Sequence, residues 1–327
     1  MNDKRGGGNF RSGDNRFGKK SNGTGSGKRF GGNRFHGGKS AGGKFNKSKP
    51  AIHKSKPTSH KPTLHKSPSP APATSWEHVA SWYDQLVGDE GSDYHRHVLL
   101  PATLRLLALG SDDRVLDLCC GQGVLCRLLA ERASAVVGVD ISPLLIAAAR
   151  ERTTAANVRF EVADARRLTV QTAGPLADGS FDAAACVMAL HDVDDLSGLL
   201  RMLSAALKPG GRAVIVIMHP CFRVPRQSSW GWDEARKTQF RRTDRYLTPL
   251  DIPIATHPGL SPDEHTFFFH RPLSALLTAL GEAGLATTVC EELTGHRQSE
   301  PGPRARAENR ARQEIPIFLA IRAVKLA

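Results

Sequence analysis

A short glycine turn, "DLCCGQG" at residues 117–123, carries residue types that could bind a ligand. Gly121 and Gly123 have no side chains, so a ligand could approach their backbone closely. A dinucleotide-binding turn needs a third glycine, and Cys126 stands in its place. A phosphate-binding loop needs Lys followed by Ser or Thr, which this turn also lacks. Asp117 points into the turn and suits a cationic ligand better than an anionic one.

The turn lies where a buried strand is expected to end and a helix to begin. Apolar runs predict strands over residues 114–120, 135–140, 158–164, 181–190, 211–218, 286–293 and 315–324. Segments with helical spacing stand between most of these runs. This alternation predicts an α/β fold with a mostly parallel, doubly wound sheet. Ligands in such folds bind at the carboxyl ends of the strands, which is where Gly121 and Gly123 stand.

Four segments between residues 112 and 218 resemble motifs of the class I S-adenosylmethionine-dependent methyltransferases, in the order and spacing of that family. They are "VLDLCCGQG", "VVGVDIS", "FEVADARRL" and "LKPGGRAVI". The resemblance implies a Rossmann-like, doubly wound sheet of seven strands, mostly parallel with an antiparallel C-terminal strand. It also implies a methyltransferase whose cofactor is S-adenosyl-L-methionine.

The resemblance implies a set of cofactor-binding residues. These are Asp117, Cys119, Gly121, Gly123, Asp140, Ile141, Asp164 and Ala165. Gly121 and Gly123 would let the backbone approach the methionine part, whose ammonium Asp117 would hold directly or through water. Asp140 would accept hydrogen bonds from both ribose hydroxyls. Asp164 and the residue after it would meet the adenine.

His191, in "MALHDVDD" after the fourth predicted strand, is the candidate catalytic residue. Methyl transfer needs alignment of the reacting atoms, and a base where the acceptor carries a proton. In the family this position faces the methyl group. His191 is therefore expected either to act as that base or only to shape the pocket. Asp192 and Asp194 are interpreted as caps of the following helix.

Two motifs bear on what is methylated. The branches of the family that methylate amino groups have an Asn/Asp-Pro-Pro-aromatic motif after the fourth strand, and "ALHDV" stands here instead. RNA cytosine-C5 methyltransferases place a nucleophilic cysteine after the fifth strand, where Cys221 fits loosely. Those enzymes also have a second Pro-Cys after the fourth strand, which is absent here. Cys221 is therefore interpreted as a small buried side chain.

Residues 219–270 form a long insertion between the fifth strand and the next helix, and we predict a lid over the acceptor. Residues 80–101 resemble the N-terminal helix of small-molecule methyltransferases of the quinone-biosynthesis-like, or methyltransferase type 11, branch. The expected substrate-binding residues are Tyr83, His219, Arg223, Trp230, Trp232, Arg245 and Tyr246. A second polar excursion, residues 294–314, is interpreted either as another substrate wall or as a solvated charged helix.

The basic charge is concentrated at the N-terminus. Residues 1–74 contain 17 Lys and Arg against two Asp, whereas the rest of the chain is close to neutral. We predict a disordered Gly/Arg/Lys/Phe-rich tail over residues 1–48, a Pro/Lys/His-rich linker over 49–75, and a methyltransferase domain over 76–327. Arg, Lys and Phe suit RNA, so the tail is a candidate RNA-binding segment. The alternative is a solvated tail with no dedicated partner.

Six cysteines without a CxxC pair indicate a reducing compartment. No apolar stretch approaches the ~20 residues that span a bilayer, and no secretory signal is visible. A cytoplasmic protein without a membrane or metal partner is therefore expected. The favoured function is methylation of a small organic acceptor. The alternatives are a methyltransferase of RNA or of a ribonucleoprotein, targeted by the basic tail, and a non-catalytic RNA-binding protein.

Overall fold

A computed structural model describes residues 76–167, 176, 178–254 and 265–327. The predicted tail, residues 1–48, and the linker, residues 49–75, lie outside this part of the chain. Their predicted disorder and RNA binding therefore stay predictions. Within the described part, a search for helices long and apolar enough to cross a membrane finds none.

The described residues form strands and helices that alternate over the central part of the chain. The strands are β1 Arg114–Leu118, β2 Ala135–Asp140, β3 Val158–Val162, β4 Phe181–Val187, β5 Leu207–Met218, β6 Ser228–Asp233, β7 Thr238–Thr243, β8 Leu250–Ile254, β9 Thr266–His270, β10 Leu285–Leu293 and β11 Phe318–Lys325. The α-helices are α1 Ala80–Val87, α2 Leu100–Leu107, α3 Val124–Ala130, α4 Pro143–Arg152, α5 Leu196–Ala206, α6 Leu273–Glu282 and α7 Ala305–Glu314.

Seven strands make one sheet in the order β10-β11-β5-β4-β1-β2-β3. The pairs from β3 through β5 are parallel, and β11 runs antiparallel to both β5 and β10. This arrangement confirms the predicted sheet, including its antiparallel C-terminal strand. The strand order reverses between β1 and β4, so a ligand crevice is expected at their carboxyl ends.

Helices cover both faces of the sheet because its central strands are apolar on both sides. In β1, Leu116 and Leu118 pack in the core cluster that includes α5 and α6, while Val115 packs with α2, α3 and α4. Asp117 stands on the same face as Val115, since side chains alternate along a strand. The acidic side chain of the glycine turn is therefore buried beneath α3.

The chain leaves β4 earlier than predicted. The strand ends at Val187, and Met188 has a left-handed φ of 58°. A short 3₁₀ turn, Leu190–Asp192, then leads toward α5. The cap of α5 is Asp195, whose side chain accepts a hydrogen bond from the Gly198 N–H at 2.8 Å. The interpretation of Asp192 and Asp194 as the helix cap was therefore wrong.

The two long excursions contain regular structure. Between β5 and α6 the chain forms two antiparallel hairpins, β6-β7 and β8-β9, on either side of an exposed loop. The second excursion contains α7, which packs against β7 and buries only Ala311 of its own residues. The solvated charged helix is the interpretation that agrees with this arrangement.

Candidate functional site

The turn after β1 needs glycine for two different reasons. Gly121 has a φ of 56°, and a Cβ there would lie 3.4 Å from a ring carbon of Tyr83. Gly123 has a φ of 79°, and a Cβ there would lie 2.9 Å from Cζ of Phe160. Gly121 therefore leaves room above the turn, where a ligand could lie. Gly123 instead lets α3 pack closely against the sheet.

The structure explains how Cys126 can replace a third glycine. A Cβ on Gly138 in β2 would lie 2.8 Å from the Cys126 sulfur. The glycine that lets helix and strand pack closely is therefore Gly138 on the strand, and the helix can carry a side chain at position 126. The Cys126 thiol donates a hydrogen bond to the Asp117 carboxylate at 3.2 Å. Burial raises the pKa of Asp117 to about 7, an effect that this hydrogen bond partly offsets and that nearby Asp140 reinforces.

A cavity of about 400 Å³ opens at the carboxyl ends of the parallel strands. This volume is within the ~300–1,000 Å³ typical of small-molecule sites. We divide its floor into two sides. The β1–β3 side comprises Cys119, Gly121, Asp140, Ile141, Asp164 and Ala165. The β4–β5 side comprises Met188, His191, Asp192, Met218, Thr266 and Phe268.

Asp140 is the central acidic group of the β1–β3 side. One carboxylate oxygen accepts from the Gly121 N–H and the other from the Ser142 N–H, each at 2.9 Å. Burial raises the pKa of Asp140, while these backbone hydrogen bonds oppose the rise. Each carboxylate oxygen can accept a second hydrogen bond, so Asp140 can still bind two ligand hydroxyls. Ile141, beside it, is exposed to the cavity.

Asp164 lies at the end of β3 and is part of an ion-pair network. Its two oxygens each accept a hydrogen bond from the Arg166 guanidinium at 2.8 Å, and Arg166 also donates to Asp194 at 2.7 Å. The Arg166 hydrogen bond lowers the pKa of Asp164 against the effect of burial. Arg166 lines the cavity, but both of its partners are acidic. Its positive charge is therefore already neutralised.

His191 is the main buried polar group of the β4–β5 side. Its ring lies 4.9 Å from that of Phe268, and its Nδ1 is buried with no hydrogen-bond partner among the described residues. Burial, reinforced by Arg271, lowers the pKa of His191 to about 4. The imidazole is therefore neutral at physiological pH. Burial also raises the pKa of Asp192, whose carboxyl group lies 3.9 Å from Nε2 of His191.

Arg271 holds the loop that carries His191. Its guanidinium donates to three backbone carbonyls, those of Leu190, Val193 and Asp194, at 2.6 to 3.3 Å. The residue stands between β9 and α6, far away in the sequence. Every residue has a backbone carbonyl whatever its side chain is, so the sequence gives no signal of these three contacts.

The helical segment at the start of the described chain roofs the cavity. Trp76, Trp82, Tyr83 and Leu86 line it from this segment. The roof is attached to the sheet by a bidentate ion pair from Arg152 of α4 to Asp84, with distances of 2.7 and 2.9 Å. Burial and nearby carboxylates raise the pKa of Tyr83. Tyr83 is the one expected substrate-binding residue that lines the cavity.

The other expected substrate-binding residues are not among the residues that line the cavity. They are His219, Arg223, Trp230, Trp232, Arg245 and Tyr246. His219 bonds to Glu292 at 2.8 Å, and its Nδ1 accepts from the Cys221 N–H at 3.2 Å. Tyr246 bonds through its hydroxyl to the first N–H of α6 at 3.1 Å. The two contacts attach the insertion to the rest of the domain, His219 to β10 and Tyr246 to α6.

Trp230 and Trp232 lie in the β6-β7 hairpin, which we call the outer hairpin. Trp230 packs against an arginine of this hairpin, and Trp232 packs against the arginine that precedes α7. The Arg241 guanidinium lies 5.2 Å from the Trp230 ring, and that of Arg304 lies 4.6 Å from the Trp232 ring. Trp232 also donates a hydrogen bond to Glu234 at 2.7 Å. Arg223 is half-buried, and Arg245 is exposed. Among the described residues of the insertion, those that reach the cavity are Pro225, Ile254, Thr266 and Phe268.

Cys221 and Asp117 also lie outside the cavity lining. Burial raises the pKa of Cys221, which keeps the thiol protonated and disfavours it as a nucleophile. Asp117 is buried in β1, where its carboxylate accepts a hydrogen bond from the Cys126 thiol of α3. Sequence reasoning missed Asp192, Phe268 and the roof tryptophan Trp76. The resemblance of residues 80–101 to an acceptor-covering helix was the only signal for the roof.

The sheet order, the glycine turn and a buried carboxylate at the end of β2 define a Rossmann-like fold with a small-molecule cavity. A family model described as a methyltransferase domain matches residues 115–211. The crystal structure of an S-adenosylmethionine-dependent methyltransferase from Mesorhizobium loti is 31% identical, with a TM-score of 0.54, and the match covers 69% of this chain and 96% of that chain.

Curated relatives are similar over shorter stretches. The 2-phytyl-1,4-naphtoquinone methyltransferase of Synechococcus elongatus is 35% identical over 44% of this chain and 62% of its own length. The protein of that name from Nostoc punctiforme is 31% identical over 57% of this chain and 75% of its own length. The chain therefore belongs to the S-adenosylmethionine-dependent methyltransferases. It spans less than two thirds of the Synechococcus relative.

Proposed function

We propose that the protein transfers a methyl group from S-adenosylmethionine to a small, uncharged, quinone-like aromatic acceptor. The observation that supports this most directly is one cavity with two different sides. The β1–β3 side offers a carboxylate and a close backbone approach at Asp140 and Gly121. The β4–β5 side offers the neutral imidazole of His191, whose Nδ1 has no hydrogen-bond partner within the described part of the chain, beside the Phe268 ring. The printed names of the Synechococcus and Nostoc relatives supply the acceptor class.

The cofactor, when bound, supplies a methyl group on a positively charged sulfur. Asp140 would bind the two ribose hydroxyls with its remaining lone pairs, and Gly121 would leave space for the methionine part. Asp164 and Ala165 would contact the adenine at the end of β3. Asp117 would act from its buried position in β1, where the positive charge of a bound ammonium would favour its ionised form.

His191 would accept the proton of an acceptor hydroxyl. The imidazole is neutral, and Nδ1 has a free lone pair or N–H to offer, depending on its tautomer. The imidazolium that forms would favour the ionised form of Asp192, 3.9 Å from the other ring nitrogen, against the effect of burial. Phe268 would stack on the aromatic ring of the acceptor. Tyr83 would cover that ring from the roof.

The charges of the cavity favour an uncharged acceptor. The Arg166 guanidinium is paired with Asp164 and Asp194. Burial lowers the pKa of both His95 and His191, the lining histidines, which keeps them neutral. No unpaired cation thus remains among the described lining residues to bind a carboxylate or phosphate.

The direct test is a methyl-transfer assay with purified protein, S-adenosylmethionine and a panel of naphthoquinols and benzoquinols. The acceptors should be kept reduced, because the methyl group is transferred as an electrophile and the quinol is the electron-rich form. We expect S-adenosylhomocysteine and a methylated product with uncharged quinols, and little product with carboxylated analogues. Cofactor binding without turnover on any quinol would contradict the proposed acceptor class. Absence of cofactor binding would contradict the methyltransferase itself.

The RNA hypothesis rests on the composition of residues 1–48 alone. It has a separate test, which compares RNA binding by the full chain with that of a fragment starting at residue 76. If the two bind equally, the tail is not an RNA-binding segment. Residence in the cytoplasm stays a proposal that rests on the cysteine pattern and can be checked by fractionation.

A further inference from the structure

Three side chains that could bind a metal meet on the surface, away from the cavity floor. Asp93 and His97 lie four residues apart on the helical segment before α2, and His296 lies in the loop after β10. Nε2 of His97 is 3.7 Å from the Asp93 carboxylate, and Nε2 of His296 is 3.2 Å from it. The three ligand atoms all lie within 4.8 Å of one another.

This spacing is close to that of a tetrahedral metal site. Metal–nitrogen and metal–oxygen bonds of about 2.0–2.2 Å place neighbouring ligand atoms roughly 3.3 Å apart. The carboxylate and the His296 ring already have this separation, and His97 is exposed enough to turn toward them. Small side-chain rotations would therefore complete three positions of the site. Water would occupy the fourth.

A neighbouring arginine holds the carboxylate in place. Nε of Arg297 donates to one oxygen of Asp93 at 2.6 Å, which leaves lone pairs of the other oxygen available to a metal. The Tyr94 ring supports the cluster, because it lies 5.3 Å from the His296 ring and 5.2 Å from the Arg297 guanidinium. Orientation of a ligating carboxylate by a second hydrogen-bonding partner is typical of metal sites.

We propose that Asp93, His97 and His296 bind a first-row divalent metal ion such as Zn²⁺. Two imidazoles and one carboxylate favour Zn²⁺, Ni²⁺ or Cu²⁺ over Mg²⁺ and Ca²⁺, which prefer oxygen ligands. The ion would join the segment before α2 to the loop after β10, which are about 200 residues apart in the sequence. Its expected effect is to stabilise the fold, because it would bind the folded chain and not the unfolded one.

Isothermal titration of the full chain with ZnCl2 at pH 7.5, after removal of bound metal with a chelator, tests the proposal. Other histidines and the cysteines contribute background binding, so a matched set of variants is needed. The double variant His97→Ala/His296→Ala should lose one equivalent of Zn²⁺, and His296→Ala alone should weaken that site by at least about tenfold. His78→Ala, at an exposed histidine elsewhere, should bind like the wild type.

Thermal melts in EDTA establish that each variant is folded, and Zn²⁺ should then raise the melting temperature of the wild type but not of the double variant. MgCl2 should have no such effect. If the double variant does not fold, Asp93→Asn serves in its place, because it keeps a similar shape and removes the charge. Equal Zn²⁺ stoichiometry in the wild type and the ligand variants would overturn the proposal. The three side chains would then form only a hydrogen-bonded ion-pair cluster.

Discussion

The two sides of the cavity differ in how far their polar groups are already paired. On the β1–β3 side, Asp140 accepts two backbone N–H groups and Asp164 is held by Arg166. On the β4–β5 side, Nδ1 of His191 has no hydrogen-bond partner among the described residues, and the Asp192 carboxyl group lies 3.9 Å from Nε2 of His191. Asp140 and His191 are both buried, so the difference between these two groups is not one of solvent access.

A carboxylate held by two backbone N–H groups, such as Asp140, keeps one position whether or not a ligand is bound, which suits a ligand of constant shape. An unpaired buried group costs about 1–3 kcal/mol in the folded protein, and it recovers this when a ligand pairs with it. We therefore propose that the β1–β3 side binds the cofactor, whose shape does not vary. The β4–β5 side retains hydrogen-bonding capacity for the acceptor. The predictions below test this division of roles.

The largest effect is expected from His191→Ala. If His191 accepts the acceptor's proton, turnover at saturating cofactor should fall by about 10²-fold or more. Affinity for S-adenosylmethionine should stay within about threefold, because His191 is not on the β1–β3 side. Turnover is measured with a reduced quinol, and cofactor affinity by calorimetry.

His191→Phe is the matched control for this prediction. It keeps an aromatic ring against Phe268 and removes both nitrogens. If the Phe variant retains most of the wild-type turnover, His191 only shapes the pocket and the proposed proton transfer is wrong. If both variants lose cofactor binding while remaining folded, the two sides of the cavity do not have separate roles.

The next effect is expected from Asp140→Ala on the opposite side. Loss of the two charge-assisted ribose contacts should weaken cofactor binding by about 2 to 3 kcal/mol. Ser142→Ala is the control, because it removes the side-chain cap of α4 beside Asp140 and leaves the carboxylate in place. Calorimetry on both proteins should show the loss of affinity in the Asp140 variant alone. Equal affinity of the Asp140 variant and the wild type would remove Asp140 from the cofactor site.

Asp140 and Phe268 show why the sequence predicted the residues of the β1–β3 side better than those of the β4–β5 side. Asp140 is the last residue of the buried strand β2, whose end is fixed by the fold, so its motif places it in the cavity. Phe268 reaches the cavity from β9, after an excursion of some fifty residues that includes two hairpins. Which face of a hairpin turns inward depends on tertiary packing, which no local pattern encodes. The tryptophans of the same insertion looked like binding residues because they are large and aromatic.

A smaller effect on stability, of opposite sign for Asp117 and His191, is expected from pH. The pKa of Asp117, in β1, is raised to about 7, so its contribution to stability is lost as pH rises toward and through 7. The pKa of His191 is lowered to about 4, so its contribution is present above the unfolded value of about 6.5 and is lost as pH falls toward 4. Each slope is at most about 1.4 kcal/mol per pH unit.

Chemical denaturation without cofactor, at several pH values between 5 and 8, measures both slopes. Asp117→Asn should become more stable relative to the wild type as pH rises. His191→Phe should become more stable relative to the wild type as pH falls below 6.5. Parallel pH profiles for the wild type and either variant would show that the corresponding group does not titrate differently in the folded and unfolded chains.

The smallest effect on catalysis is expected from Trp230→Ala, in the outer hairpin. The Trp230 ring packs against the Arg241 guanidinium rather than facing the cavity, so its loss should cost about 0.5–1 kcal/mol of stability, the range for an exposed cation–π contact. Turnover per folded molecule should stay within about threefold, because neither side of the cavity changes. The exposed Arg245 gives the control, and Arg245→Ala should alter neither quantity. Melting temperature and turnover are measured on the same samples. A loss of turnover above tenfold in folded Trp230→Ala would mean that the outer hairpin closes over the acceptor during the reaction, and the boundary of the β4–β5 side would then extend to β6.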